Sequence, residues 1–218
     1  MDYIRFKKKY SNLKLANLNS KVSHLKLAPS FREEIIKKSP NSKNSKRAGV
    51  VALLFINEIG ALELILILRN SYNGVHSDQY GFPGGKYEEL DGNVINTALR
   101  ECWEEIGVKL KENNLVRNLS ELYIPPSNFT VFPFLFFLDH TPKFTANSRE
   151  VKKIISIDLK QLLNSKIENT IIQTPKTLSK TKGGDFIQVQ CFNINGCKVW
   201  GATAMILSEI KDLFNNVY

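Results

Sequence analysis

Hydrophobic positions along the chain follow two periods, one typical of strands and one typical of helices. Two apolar runs, 48–56 and 62–68, flank the turn-forming stretch NEIGA and predict a β-hairpin. Further strand-like runs are SELYIPP, FTVFPFLFFLD, KKIISIDL and DFIQVQCFNINGCKVW, the last a hairpin that turns at Asn195 and Gly196. Apolar residues three and four apart predict a helix from about residue 93 to 106, a short one through KQLLN, and one near the C-terminus. Strands grouped in hairpins predict the α+β class, with a mixed β-sheet covered by helices.

The N-terminal segment differs from the rest of the chain in charge. Residues 1–47 contain 13 lysine and arginine residues and 3 acidic residues, whereas the remainder is nearly neutral. A loose helical stripe from Leu13 to Leu25 and the polar stretch SPNSKNSK predict a basic helical extension, 1–46, followed by one domain, 47–218. A basic arm suits nucleic acid, acidic lipid or a polyanionic substrate. It has no aromatic platform for single-stranded nucleic acid, so we interpret it as a solvated extension and do not expect a nucleic-acid partner.

Composition narrows the class of protein further. Hydrophobic residues make up 43% of the chain and charged residues 23%, which is typical of a soluble globular protein. The longest apolar run, VFPFLFFL, is too short for a membrane span, and the first residues lack the features of a signal peptide. The three cysteines form no disulfide framework. We therefore expect reduced thiols and a cytoplasmic location, while the oligomeric state stays open.

The stretch RECWEEIG concentrates negative charge within a predicted helix. Glu101, Glu104 and Glu105 stand at helical spacings that bring their side chains to one face, and carboxylates so close repel each other. A solvated acidic face is one interpretation. The other is a site for a hard divalent cation, Mg²⁺ or Mn²⁺, which prefers oxygen ligands. Arg100, four residues before Glu104, is placed to pair with it.

The residues before this helix favour the metal site. In GFPGGKYEELDGN, Gly84 and Gly85 allow the backbone to approach a ligand closely. Lys86 offers a partner for phosphate, and Asp91 adds another carboxylate where the helix begins. A glycine-rich loop, a loop acid and a helix with paired glutamates rarely occur together by chance.

These residues resemble the Nudix box of Nudix hydrolases. Its second half is Arg-Glu, an apolar residue, any residue, Glu-Glu, any residue, Gly and an apolar residue, as in 100–108, where Gly107 is the glycine. The usual glutamate of the first half is replaced by Gly92, and the acid comes one residue earlier, as Asp91. This spacing is similar to that of the coenzyme A pyrophosphatase-like branch.

That branch has a second hallmark upstream of the box, and the chain matches it in part. Arg69, His76 and Gln79 stand at the branch's intervals before FPGG. The chain departs at three positions where the branch more often has Leu, Arg and Gly: Asn73, Gly74 and Asp78. The resemblance implies a Nudix fold, a mixed sheet sandwiched between helices, and cleavage of coenzyme A or its derivatives to 3′,5′-ADP and 4′-phosphopantetheine.

The resemblance also implies roles for the acidic residues. Glu101 and Glu105 would be the principal ligands of Mg²⁺ or Mn²⁺. Glu104 would be a further ligand or the base acting on metal-bound water, oriented by Arg100. Glu150, in NSREV, is a candidate second base from a distant loop.

The remaining motif residues would hold the substrate or the loop. The expected substrate-binding set is Arg69, His76, Gln79, Gly84, Gly85 and Lys86. The backbone of Gly84 or Gly85 would add a carbonyl to the metal. Asp91 would hold the loop onto the helix or touch the metal through water, and Gly107 would end the helix.

Two alternatives stay open from the sequence. The same helix would also serve hydrolysis of another nucleoside diphosphate derivative, such as a nucleoside triphosphate or ADP-ribose, because substrate choice depends on loops outside the box. The second alternative is a non-catalytic Nudix-fold module that binds nucleotide or nucleic acid through the basic arm. The intact Arg-Glu and Glu-Glu pairs favour an enzyme, since a binding module has no need to retain glutamates that repel each other.

Overall fold

A mixed β-sheet forms the central layer of the structure, a computed structural model that describes residues 6, 11–14, 19–29, 32, 44–70, 79–173 and 185–217. Its middle strand is β1 (Lys46–Ile56), which pairs antiparallel with β2 (Leu62–Arg69) and parallel with β7 (Phe129–Leu138). The other strands of this sheet, each antiparallel to a neighbour, are β3 (Tyr80–Gly81), β4 (Gly84–Lys86), β5 (Leu115–Asn118), β6 (Leu122–Ile124) and β8 (Val151–Asp158).

Helices cover both sides of this sheet, and a small second sheet lies after it in the chain. The helices with both ends described are α1 (Ser20–Leu25), α2 (Val94–Ile106), α3 (Leu159–Asn164) and α4 (Gly201–Val217). The second sheet has the antiparallel order β11-β10-β9, formed by β9 (Ile167–Gln173), β10 (Phe186–Ile194) and β11 (Cys197–Trp200). This arrangement confirms the predicted α+β class and the sandwich of helices around a mixed sheet.

The side chains of β1 alternate between two hydrophobic layers. Val51 and Phe55 belong to the layer that contains the buried side of α2. Leu54 and Ile56 belong to the opposite layer, where residues such as Leu207 of α4 pack. Because successive strand residues point to opposite faces, a strand buried on both sides is apolar at nearly every position, as β1 is.

Helix α2 begins and ends where its flanking residues predict. The side chain of Asn93 accepts a hydrogen bond from the Asn96 backbone N–H and caps the start. Gly107 has a φ of 72°, the left-handed conformation that glycine adopts easily at a helix end. The helix lies close to β1, because a β-carbon on Gly49 would stand 2.3 Å from the carbonyl oxygen of Val94. Glycine in β1 therefore sets the depth at which the glutamate-bearing helix sits.

The described part of the N-terminal segment packs on the body of the protein. Phe6 is fully buried, with its ring centroid 4.5 Å from that of Phe137 and 6.3 Å from that of Phe214. In α1 the buried residues are Ser23 and His24, while Val22 and Leu25 of the predicted apolar stripe are exposed. The stripe is wrong for this helix, because α1 meets polar side chains of α4. The boundary at residue 46 stays a prediction.

Several sequence expectations can be compared directly with the strands. The first hairpin, the strands around 122–138, the strand-helix pair at 151–164 and the final hairpin are confirmed. Strands β3, β4, β5 and β9 were not predicted. Ser30 as N-cap and Glu33 as its capping-box partner predict a short helix in SFREEIIKK, but this stretch falls almost entirely outside the described residues. Within the described ranges, no helix has the length and apolar character needed to cross a bilayer.

Candidate active site

Two glutamates on successive turns of α2 meet a third from a distant loop. Ligand atoms of Glu101, Glu105 and Glu150 all lie within 4.8 Å of one another, the one such acidic group found among the described residues. Glu101 and Glu105 share a helix face because four residues span about one turn. The structure thus brings together three of the predicted residues. Glu104 lies outside this group, with 48% of its side chain exposed.

Glu105 is the most buried member of the carboxylate cluster, with 1% of its side chain exposed. One of its oxygens accepts a hydrogen bond from Arg69 Nη1 at 3.0 Å, and the other accepts from the backbone N–H of Gly84 at 2.8 Å. Arg69 also donates through Nη2 to the carbonyl oxygen of Gly84 at 2.8 Å. The first two hydrogen bonds fix both oxygens of Glu105. The third joins the end of β2 to the diglycine turn, Gly84 and Gly85 at the start of β4.

Glycine is required at positions 84 and 85 because neighbouring atoms lie where a β-carbon would stand. Gly84 has a φ of 150°, and a β-carbon there would stand 2.3 Å from the carbonyl oxygen of Gly49. A β-carbon on Gly85 would stand 2.4 Å from the carboxylate of Glu101. The backbone of this turn therefore lies directly against the acidic cluster, as the sequence predicted for a glycine-rich loop.

Arg100 organises the start of the helix and two of its glutamates. Its guanidinium donates to both oxygens of Asp91, from Nε at 2.8 Å and from Nη2 at 3.1 Å. Nη1 donates to Glu101 at 2.8 Å and to Glu104 at 3.1 Å. The Thr97 hydroxyl also donates to Asp91, at 2.8 Å. Asp91 therefore ties the loop to the helix, which is one of the two roles considered for it.

Glu150 is brought to the cluster by backbone hydrogen bonds at the C-terminal end of α2. The carbonyl oxygens of Ile106 and Glu105 have no partner within the helix, and they accept from the N–H groups of Thr145 and Asn147, each at 2.9 Å. The Glu150 N–H in turn donates to the carbonyl oxygen of Asn147 at 3.0 Å. Nothing in the spacing of the sequence indicated this tether.

Crowding and burial change the acidity of the cluster. Burial raises the pKa of Glu105 to about 7, against the opposing effects of Arg69 and the Gly84 N–H. Burial also raises the pKa of Glu101, although Arg100 opposes the shift. The Arg100 guanidinium holds the pKa of Asp91 well below its usual range, and its hydrogen bond to Asp91 raises the pKa of Arg100. The carboxylates next to the diglycine turn are thus held together at an electrostatic cost that a cation among them would remove.

The donor set fits a hard divalent cation. It consists of carboxylate oxygens from two turns of a rigid helix and from one loop, which are ligands that Mg²⁺ and Mn²⁺ prefer. A structural ion pair would need only one cationic partner for each acid. Here Arg69 pairs with Glu105, and Arg100 is divided among Asp91, Glu101 and Glu104, which leaves negative charge for an ion to neutralise.

A cavity of about 320 Å³ is lined by Gly84 and Gly85, and Gly85 also lies against Glu101 of the cluster. Arg69, Gln79, Gly84, Gly85 and Lys86, all predicted to bind substrate, are among the residues that line it. His76 and the departures Asn73, Gly74 and Asp78 fall outside the described residues. Sequence reasoning missed the far walls of the cavity, because they come from separate segments around residues 124–131 and 202–206.

Comparisons with known proteins agree with this geometry. The family model of the NUDIX domain matches residues 45–175. Nudix hydrolase 15, mitochondrial, of Arabidopsis thaliana is 32% identical over 185 residues, which are 81% of this chain and 62% of that protein. The human protein named mitochondrial coenzyme A diphosphatase NUDT8 is 32% identical over 151 residues, 67% of this chain and 61% of that protein.

A solved structure supports the fold alone. The MutT/nudix family protein from Enterococcus faecalis superposes with a TM-score of 0.52 at 17% identity, covering 80% of this chain and 62% of that one. The chain spans roughly three fifths of the length of these curated relatives. Since the NUDIX model matches more than half of the chain and its box residues converge in space, the protein belongs to the Nudix family.

Proposed function

We propose that this protein is a metal-dependent hydrolase that cleaves the diphosphate of coenzyme A or its derivatives to 3′,5′-ADP and a 4′-phosphopantetheine. The observation that carries the proposal is the convergence of Glu101, Glu105 and Glu150 against the diglycine turn. Relatives named coenzyme A diphosphatases, at about 30% identity, support this substrate among the possible diphosphates.

The proposed chemistry assigns a task to each side chain. A bound Mg²⁺ or Mn²⁺ would neutralise phosphate charge and lower the pKa of the attacking water. Glu101 and Glu105 would hold the ion from the helix. Glu150, which is exposed, would either complete the ligand set or accept the proton of the attacking water. Glu104 pairs with Arg100 outside the cluster, so it is the weaker candidate for ligand or base.

The substrate's phosphates would meet cationic groups on the cavity side. Lys86 lines the cavity next to Gly85, and Arg69 lines it while holding Glu105. Lysine and arginine both donate strong hydrogen bonds to phosphate oxygens. They would draw charge from the leaving phosphate and keep the diphosphate against the acidic cluster.

A substrate panel tests the proposal. The purified protein is incubated with Mg²⁺ or Mn²⁺ and coenzyme A, an acyl-coenzyme A, ADP-ribose or a deoxynucleoside triphosphate, and the products are separated by chromatography. We expect the highest kcat/KM with coenzyme A or its thioester and release of 3′,5′-ADP. Preference for ADP-ribose or the triphosphate would favour the second candidate function instead.

A matched pair of variants links activity to the cluster. Glu105→Gln keeps the size of the side chain but removes a ligand charge, so it should lower kcat/KM at least about 100-fold. Glu112→Gln makes the same change in an exposed turn and should leave activity near that of the wild type. Near wild-type turnover of Glu105→Gln would contradict the assignment.

The compartment and partners stay predictions. A cytoplasmic location was expected from the cysteines, while the names of the plant and human relatives assign those two proteins to mitochondria. We propose a small nucleotide-diphosphate molecule as the partner of the site and no role for nucleic acid.

A further inference from the structure

The cavity beside the diglycine turn has walls of two different kinds. Most of its surface is apolar, from residues such as Val50 in β1, Ile124 in β6, Phe129 in β7 and Ile206 in α4. Its cationic residues are Lys86, which follows Gly85 in β4, and Arg69, which ends β2 and donates a hydrogen bond to the Gly84 carbonyl oxygen. Among the described residues that line the cavity, none is acidic. A ligand suited to these walls has a negatively charged end and a long, mainly apolar body.

The position of the turn orients such a ligand. Gly84 and Gly85 line the cavity, and Gly85 lies directly against the carboxylate of Glu101. Because these two glycines have no side chains, a diphosphate bound over this backbone can contact both the acidic cluster and the cavity. One of the two groups attached to the diphosphate can extend from there between the sheet and α4.

Ser127 provides a polar group in an otherwise apolar part of the wall. It ends the turn Pro125–Ser127, lines the cavity, and its Oγ is buried without a hydrogen-bond partner among the described residues. By contrast, the hydroxyl of Thr203 on the opposite wall donates to the carbonyl oxygen of Tyr80 at 3.0 Å. A buried hydroxyl without a partner is costly, and native proteins usually satisfy it with a ligand or water.

We propose that this cavity binds the pantetheine arm of the substrate, and that the Ser127 hydroxyl forms a hydrogen bond with one of its amides. This inference rests on the proposed function. The arm is a chain of methylene and methyl groups that carries two amides, one hydroxyl and a terminal thiol, which suits a mainly apolar wall with a hydroxyl available to one amide. The adenosine half carries a purine with several polar edges and an additional phosphate, which suits the mainly apolar walls less well.

Binding of the two product halves tests the proposal separately from hydrolysis. 4′-Phosphopantetheine and 3′,5′-ADP are each titrated into the full-length protein with Mg²⁺ and followed by calorimetry. Ser127→Ala should weaken binding of 4′-phosphopantetheine about 5- to 10-fold, the usual effect of one lost buried hydrogen bond, and leave 3′,5′-ADP unchanged. Ser156→Ala removes an exposed serine hydroxyl of β8 that donates to Glu63, away from the cavity, and should change neither affinity.

A second variant tests the volume of the cavity. Ala202→Leu adds bulk to its wall and should weaken 4′-phosphopantetheine and raise the KM for coenzyme A, with a smaller change in kcat. Thermal unfolding of each variant shows whether the fold is intact. If the protein hydrolyses coenzyme A but neither variant alters 4′-phosphopantetheine binding, the inference is overturned and the proposed function stands. If both variants weaken 4′-phosphopantetheine binding but the protein does not cleave coenzyme A, the inference is supported and the proposed function is rejected. Equal losses for the two product halves would also overturn it.

Discussion

Glu150 reaches the carboxylate cluster in a different way from the two helix glutamates. Glu101 and Glu105 are fixed by α2, whereas Glu150 depends on a loop hydrogen-bonded to the end of that helix. Glu104 belongs to the same helix, but its half-exposed carboxylate pairs with Arg100 at 3.1 Å. Since the affinity for a hard cation rises with the number of carboxylates that converge on it, the two exposed glutamates should have unequal effects.

Cation binding separates the two residues without relying on activity. We expect Glu150→Gln to weaken Mn²⁺ binding by roughly 10-fold or more, and Glu104→Gln to weaken it by less than about 3-fold. Free Mn²⁺ measured by electron paramagnetic resonance during a titration gives both affinities. Equal losses, or a larger loss in Glu104→Gln, would contradict the arrangement of the cluster.

At the scale of elements, strand β4 packs closely against helix α2 because Gly85 has no side chain. The β-carbon of an alanine at position 85 would collide with the carboxylate of Glu101, 2.4 Å away. The Glu101 side chain would have to move, because the new β-carbon is fixed to the backbone of β4. The same change in an open turn has no such neighbour: a β-carbon on Gly60 meets nothing within 4 Å.

We therefore predict that Gly85→Ala lowers both cation affinity and kcat/KM by about 10-fold or more, because a ligand is displaced. Gly60→Ala serves as the control. Its φ of 79° makes alanine there cost about 1 kcal/mol of stability, while cation affinity stays unchanged. Mn²⁺ titration and urea unfolding of both variants measure the two effects. Wild-type cation affinity in Gly85→Ala would show that Glu101 is not held against the turn.

The elements that were predictable from sequence are those whose signals are local. Asn93 and Gly107 mark the ends of α2 by capping chemistry, and the spacing of Glu101 and Glu105 places them on one face. Strands β3, β4, β5 and β9 were missed because the first three are two to four residues long and β9 is polar along most of its length. The cavity was missed for another reason: its walls come from segments far apart in the chain, which no local pattern relates.

At the scale of the whole molecule, the N-terminal segment is joined to the C-terminal helix by buried polar groups. His24 Nε2 lies 2.8 Å from Glu209 Oε2, and the other oxygen of Glu209 accepts from the Ser120 backbone N–H at 3.0 Å and hydroxyl at 2.9 Å. The Glu209 side chain is 4% exposed. Polar residues thus occupy the side of α1 where a stripe of Val22 and Leu25 was expected, because their partner on α4 is a carboxylate rather than an apolar surface.

This contact should make stability depend on pH. Hydrogen bonds from His24 and Ser120 lower the pKa of Glu209, despite the opposing effect of burial. A carboxylate whose pKa is lower in the folded protein stabilises the fold above its unfolded pKa, and that contribution is lost as the pH falls through the folded value. Glu209→Gln imitates the protonated form, so it should reduce the free energy of unfolding at pH 7 by about 1.5–3 kcal/mol.

The difference between wild type and Glu209→Gln should shrink below about pH 4.3, the ordinary pKa of glutamate, because the wild-type carboxylate is then progressively protonated. Urea unfolding at pH 7 and at pH 3.5 measures it. Glu58→Gln is the control: it makes the same change at an exposed position of the first hairpin, where it should alter stability by about 0.5 kcal/mol or less. A Glu209→Gln difference that stays constant between the two pH values would mean that the charge on Glu209 does not hold the N-terminal segment to the domain.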